Sequence, residues 1–488
     1  MLENAAPGVQ SPRLADGLQS DYWNANEEKD LQDHSVMFHL DVLKMARQHR
    51  NFTTEMAKRL PKYVPPRDAE PQGIVTVAGG DYFPGMLVSL RMLRRTGCTL
   101  PVEVWMADES EYEPEICEEV LPAYNARCRL LSDIFNPSNT TVTAFLPPAR
   151  PTQRISRYQY KIFAILFSSF RTLLFLDSDN IALADLTPLF TSTPFTSTGL
   201  VTWPDLWATS ISPIYYLIAD QPAPPSSLRA STESGQLLIN KHTHHTTLLL
   251  AAYYNYYGPE HYYLLLCQGG YGRGDKSTFV PAALAMNASF YDVAERPVAI
   301  GQEQEWMHVH ALLQFDAIAD YNLTSHGLFR NRDGSVADAI PPLFLHANDP
   351  KWNAERIFHS DGDNEGEPDL SKHGFFSNPT RLPDGSKSWI YKDPPDVIDR
   401  FGVRALEKQL WEETRWVSCE VSGRLRIWKG KEWVCERVEA WVGEFVDTDE
   451  AAGEAGEERM REDKFGRIAA LAAAAAAAGA EELPDFGT

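Results

Sequence analysis

The sequence predicts an α/β fold, a mostly parallel sheet flanked by helices, and three observations carry that reading. Short apolar runs recur at 73–78 (GIVTVA), 102–106 (VEVWM), 172–176 (TLLFL), 199–203 (GLVTW), 236–240 (QLLIN) and 342–346 (PLFLH). Stretches with apolar residues at helical spacing lie between several of them, and strands alternating with helices build parallel sheets. The composition, 43% hydrophobic and 11% aromatic over 488 residues, is that of a large folded unit with added subdomains or disordered ends.

In chain order, residues 1–70 are polar, with one helix expected from Val36 to Leu60 and a break at Val64-Pro65-Pro66, so this region reads as a stem. GIVTVA, a helix carrying Met86, Leu87, Leu90 and Leu93, and VEVWM then form a β-α-β unit that opens a Rossmann-like sheet. The loop after its first strand, Gly79-Gly80-Asp81-Tyr82, lacks the full G-x-G-x-x-G pattern. Dinucleotide binding is thus poorly supported, while a mononucleotide contact at Gly79 stays open. From Tyr158 to Phe170, Ile162, Phe163, Leu166 and Phe167 repeat at the helical period, and the strand TLLFL follows. Another helix is expected from about His244 to Tyr256. After Trp352 the pattern weakens, and 391–441 reads as a small accessory element rich in Trp. The Ala-, Glu- and Gly-rich end reads as disordered or partly helical.

The formal net charge of -22 argues against nucleic-acid partners, because affinity for phosphate backbones needs clustered Lys and Arg. Part of the excess is local: residues 447–488 carry eleven Asp or Glu against four Lys or Arg. No signal peptide or membrane span is visible, since the first 35 residues are polar and the Ala run at 469–480 is too short. Six cysteines at 98, 117, 128, 267, 419 and 435 lack zinc-site spacing. Cys117 with Cys128, and Cys419 with Cys435, are near enough to close small disulfide loops in an oxidising compartment; six buried thiols are the other reading. Acceptor triplets for N-glycosylation at Asn51, Asn139, Asn287 and Asn322 lean toward the secretory pathway.

Chemistry concentrates at strand ends. Asp177-Ser178-Asp179 follows TLLFL, where ligands collect on an open α/β sheet. Alternate residues of an extended chain face opposite ways, so the chain must turn there for both carboxylates to reach one site. Such hard oxygen ligands suit Mn²⁺ or Mg²⁺, with diphosphate oxygens and water filling the shell. Taken alone the triplet is also compatible with a turn or a cap. HANDPKW at 346–352 follows another strand; His346 could complete a metal shell and Lys351 contact a phosphate, against a turn at Asn348-Asp349-Pro350. GRGDKSTF at 272–279 offers Asp275 and Lys276 in a Gly-rich loop, or a plain turn with a local ion pair. Glu233, before QLLIN, is placed like a catalytic or sugar-orienting carboxylate, or is simply solvated. Lys161 is a candidate diphosphate contact, although exposed helix lysines are more usual. The HTHH run at 242–245 reads as a solvated helix start, and the aromatic run at 253–263 as core packing.

Several segments together resemble the fungal mannan-branching α-mannosyltransferases of the Mnn type: YQYKIFAILFSSFRTLLFLDSDNIAL (158–183), GLVTWPDLW (199–207), ESGQLLINK (233–241), AAYYNYYGP (251–259), GDKSTF (274–279) and LFLHANDPKW (343–352). They occur in order over roughly residues 70 to 355. The resemblance implies a GT-A glycosyltransferase fold, with a catalytic domain over 71–355, a stem-like region at 1–70, an accessory region at 356–446 and the tail at 447–488. It implies a retaining α-mannosyltransferase moving mannose from GDP-mannose to an α-mannoside glycan with Mn²⁺ or Mg²⁺, by α-1,2 branching. Asp177 and Asp179 would then be the metal pair, and analogy with other retaining GT-A enzymes, where a late His and a nearby Lys serve the metal and diphosphate, adds His346 and Lys351. Gly79, Lys161, Asp177, Lys276 and Lys351 would contact the donor. Glu233, Asp205 and Asp275 would serve catalysis, Glu233 or Asp205 steadying positive charge at the anomeric carbon. It further implies a lumenal Golgi location, an amino-terminal anchor that this sequence does not display, and partners in a Golgi enzyme complex. A UDP-sugar-dependent enzyme of the same fold and a non-catalytic glycan-binding subunit remain alternatives. A phosphodiester-processing enzyme fits the acidic surface poorly.

Overall fold

A computed structural model describes residues 1–447 apart from 16–17, 19, 61, 67–68, 136–154, 273, 304–306, 326–339, 360–378 and 382–385. The triplet at Asn139 and the tail beyond Asp447 lie outside the described residues.

The expected β-α-β unit consists of β1 (Glu70–Val77), α1 (Phe83–Arg95) and β2 (Val102–Met106). Pro84 stands in the first turn of α1, where a missing N–H costs nothing, and Arg94 and Arg95 end it, where cations favour the carbonyl end. Then come β3 (Ala126–Leu130), α2 (Gln159–Phe167), β4 (Phe170–Leu176), β5 (Asn180–Ala182) and β6 (Leu200–Pro204). The main sheet is completed by β7 (Thr232–Asn240) and β8 (Tyr291–Asp292) in the order β8-β6-β7-β4-β1-β2-β3. Pairing is parallel throughout except at β7, which runs antiparallel to both β4 and β6. The α/β class and the mostly parallel sheet flanked by helices are as the sequence predicts.

A second sheet, not anticipated, is wholly antiparallel. It consists of β9 (Val298–Glu303), β10 (Met307–Phe315), β11 (Pro342–His346) and β5, in that order. Because β5 follows β4 directly and pairs with β11, His346 lies opposite Asn180. This register brings two motifs that are far apart in sequence to one place.

The main sheet buries both faces. Leu174 and Leu176 of β4 join α1 and the second sheet in one core, while Leu173 and Phe175 point into the other with Ile162 and Phe163 of α2. The period of two along a strand produces this division. Gly73 has no side chain because the ring of Phe170 crosses it; a Cβ there would lie 2.3 Å from that ring.

The region expected to be stem-like is packed instead. The helix His39–Arg59 buries Met45, Phe52 and Met56, and Phe52 stacks on Tyr253 with centroids 4.4 Å apart. Those three apolar residues share one stripe of an otherwise polar helix, enough to dock it. The Trp-rich segment also joins the main core: Trp411, on the helix Val403–Glu420, lies 5.2 Å from Trp352, and Arg95 of α1 meets Glu413 at 2.9 Å. Cys117–Cys128 and Cys419–Cys435 form disulfides, and Cys98 and Cys267 are free and buried. In the aromatic run, Tyr253, Tyr254 and Tyr262 are fully buried, as core packing requires. No helix of the described residues is long and apolar enough to cross a membrane.

Candidate metal and sugar-nucleotide site

The acidic triplet turns where β4 ends. Asn180 N–H donates to the Asp177 carbonyl at 3.0 Å, and the Ser89 hydroxyl of α1 ties down the Ser178 carbonyl at 2.7 Å. On the other side Ala347 N–H reaches the Asp179 carbonyl at 2.9 Å. Both carboxylates thereby meet His346: one ligand atom from each of Asp177, Asp179 and His346 lies within 4.8 Å of the others, the one such group among the described residues. His346 Nε2 is 3.4 Å from Asp179, and its Nδ1 is 3.4 Å from Glu233. Gly235 makes room for the imidazole, since a Cβ there would stand 2.6 Å from its Cε1.

Lysines surround this cluster. Lys161 is buried, not solvated: its ammonium lies 3.2 Å from Asp177 and 3.1 Å from Asp275 and donates to the Ser234 carbonyl at 2.8 Å. Lys351 pairs with Asp179 and sits 5.6 Å from the centre of the Tyr82 ring. Lys276 pairs with Asp205 at 2.6 Å. Asp275 and Lys276 therefore form no ion pair with each other; each binds a residue from another part of the chain. Gly79 lies against the Glu111 carboxylate, 2.4 Å from where a Cβ would be.

The electrostatics follow from this crowding. Burial alone would neutralise each group, but paired charges oppose it. His346, between Glu233 and Asp179, is held protonated well above the ordinary imidazole range despite its burial. Burial likewise opposes ionisation of Asp179 and Glu233, yet Lys351 and His346 hold Asp179 well below the usual carboxylate range, and His346 brings Glu233 down to about 2. Burial would discharge Lys161, Lys351 and Lys276, and their carboxylates raise them instead. Glu233 is thus an anion at neutral pH, further fixed by the Gly235 N–H at 2.7 Å.

The residues fit a divalent cation. Two carboxylates and an imidazole converge, with His346 Nε2 toward Asp179 and Nδ1 toward Glu233; a bound cation would take the place of the Nε2 proton that the free ring holds. Sequence reasoning missed Ser234, Gly235 and Asn180. Gly235 was findable, because a glycine inside a strand marks a close approach. The HTHH run holds no metal geometry: His244 is buried and bonds the Thr198 carbonyl at 2.8 Å.

Residues 71–228 and 225–316 match the mannosyltransferase family Mannosyl_trans3, and the chain belongs to that family. It is similar to alpha-1,2-mannosyltransferase MNN24 of Candida albicans, with 32% identity covering 71% of this chain and 54% of the relative. Alpha-1,2-mannosyltransferase MNN2 of Saccharomyces cerevisiae is 33% identical over 64% of this chain and 61% of its own. The chain thus spans little more than half the length of these relatives. Among solved structures, the glycosyltransferase GlyE of Streptococcus pneumoniae TIGR4 overlaps 46% of this chain and 45% of its own at 13% identity and a TM-score of 0.29. The galactosyltransferase LgtC overlaps 45% of this chain and 73% of its own at 16% identity, with a TM-score of 0.29.

Proposed function

We propose that this chain is a retaining, GT-A-type α-1,2-mannosyltransferase that moves mannose from GDP-mannose to an α-mannoside glycan, with Mn²⁺ or Mg²⁺, in the Golgi lumen. The convergence of Asp177, Asp179 and His346 at the ends of β4 and β11 carries the reading. Family membership and the names of the relatives support mannosyl transfer and the α-1,2 linkage. The two disulfides favour an oxidising lumen, and Asn51, Asn287 and Asn322 are all exposed, as glycosylation acceptors must be.

Asp177, Asp179 and His346 would hold the metal, which when bound neutralises charge developing on the departing diphosphate. Lys161 and Lys351 flank those carboxylates and would turn their ammonium groups to phosphate oxygens. Glu233, fixed by the Gly235 N–H at 2.7 Å, would stabilise positive charge at the anomeric carbon. The acceptor proton would pass to the leaving phosphate on the same face, a route that retains configuration. Asp205 is neutralised by Lys276 and serves mainly to position that lysine; Asp275 does the same for Lys161.

The test is donor hydrolysis by the wild type and the Asp177→Ala/Asp179→Ala variant, with GDP-mannose and UDP-sugars side by side. GDP-mannose turnover lost in the variant is expected. Full activity in the variant refutes the metal role, and turnover confined to a UDP-sugar refutes the donor.

A further inference from the structure

Beyond the charged cluster, a stack of aromatic rings lies open at the surface. Tyr22 stacks on Trp207 with centroids 4.7 Å apart and 21° between planes, and Trp207 stacks on Tyr271 at 4.9 Å and 29°. Tyr22 is 60% and Tyr271 61% exposed, so the stack forms a contiguous aromatic patch at the surface.

The backbone holds this stack in place from three parts of the chain. Tyr22 bridges Trp207 in antiparallel fashion, Trp23 N–H donates to the Leu206 carbonyl at 2.9 Å, and Ala208 N–H to the Asp21 carbonyl at 2.8 Å. Tyr271 N–H donates to the Ser20 hydroxyl at 2.8 Å. The stack is also continuous with the site. Trp207 follows Asp205 by two residues, and Gly272, with φ of 68°, lets Lys276 pass so closely that a Cβ would lie 2.7 Å from its ammonium. The Asp205–Lys276 pair therefore lies beside the chain segments that carry Trp207 and Tyr271.

We propose that Tyr22, Trp207 and Tyr271 form a stacking subsite for a pyranose ring of the acceptor glycan, apart from the unit that receives the new sugar. This rests on the chain being a glycan-modifying enzyme. One face of a pyranose presents C–H bonds with partial positive charge, which complement the negative face of an aromatic ring. Tyrosine and tryptophan rings supply that contact with little conformational entropy to lose. Three rings already fixed by backbone hydrogen bonds lose still less.

The test needs no donor. The full chain is titrated calorimetrically with an α-linked mannotriose and with methyl α-mannoside. The trisaccharide should bind more tightly, and Tyr22→Ala/Tyr271→Ala should weaken it about tenfold, while Tyr22→Phe/Tyr271→Phe keeps wild-type affinity. Unchanged affinity in the folded alanine variant overturns the subsite. So does a wild type that binds the trisaccharide no better than the monosaccharide, a comparison that requires no variant. A protein that binds mannotriose but transfers mannose from no donor overturns the proposed activity and leaves the subsite standing.

Discussion

Replacing Gly235 by alanine puts a Cβ 2.6 Å from Cε1 and 2.7 Å from Nδ1 of His346, and 3.1 Å from Nδ2 of Asn180. Ordinary contact begins at 3.4 Å, so the imidazole must retreat by roughly 0.8 Å. It cannot do so by a backbone shift, because β11 is paired on both sides, with Leu312 and Asn180 opposite His346. The ring must therefore leave its position between Asp179 and Glu233. Overpacking of this kind costs about 1–3 kcal/mol of stability. A ligand displaced by that distance is expected to lower metal affinity by about 10- to 100-fold, as loss of an orienting contact does. Mn²⁺ titration by calorimetry, with a thermal melt of the same sample, reads both effects. A folded Gly235→Ala protein with wild-type Mn²⁺ affinity would refute the assignment of His346 as a ligand.

Three other outcomes follow from the same physics. Lys161→Met leaves Asp177 and Asp275 without their shared cation and should cost about 3–5 kcal/mol in urea unfolding, with Lys161→Met/Asp275→Asn recovering part of it. Glu407 is buried and accepts from the backbone N–H groups of Ile390 and Tyr391 at 2.8 and 2.9 Å; burial pushes its carboxyl up to about 7 from an ordinary 4.5. A raised folded pKa means its contribution is complete below the ordinary value and is lost as pH rises through 7. Wild-type stability measured against Glu407→Gln should thus fall by about 3 kcal/mol between pH 4 and 8. A flat difference would contradict the burial argument. Cys419→Ser/Cys435→Ser opens a loop spanning 16 residues and should lower stability by about 3 kcal/mol, read by chemical denaturation.

Much of the site was legible because local rules dominate at strand ends. The triplet after TLLFL had to turn for both carboxylates to converge, and it does so through the Asn180 to Asp177 hydrogen bond. VEVWM and PLFLH form strands with the expected limits, since each apolar-rich run begins at a proline-marked boundary, Pro101 and Pro341. Long-range pairing left no such trace. Nothing local distinguishes an antiparallel β7 from a parallel one, and the hairpin of β9 and β10 is obscured by His308 and His310 within the second strand. The exchange of partners that gives Asp275 to Lys161 and Lys276 to Asp205 depends on residues 71 or more positions apart for the latter pair. Lys161, a candidate diphosphate contact by its place before the acidic strand, is buried where helix lysines usually face solvent, and its two carboxylate partners make that burial tolerable. The helix His39–Arg59 is polar on average, and its docking rests on one stripe of Met45, His49, Phe52 and Met56.

The most direct measurement is incubation of the purified protein with GDP-mannose, Mn²⁺ and an α-mannoside acceptor, followed by linkage analysis of the product with and without EDTA. The account predicts an α-1,2-linked mannoside that disappears when EDTA removes the metal. Turnover undiminished by EDTA, or a β-linked product, would contradict it.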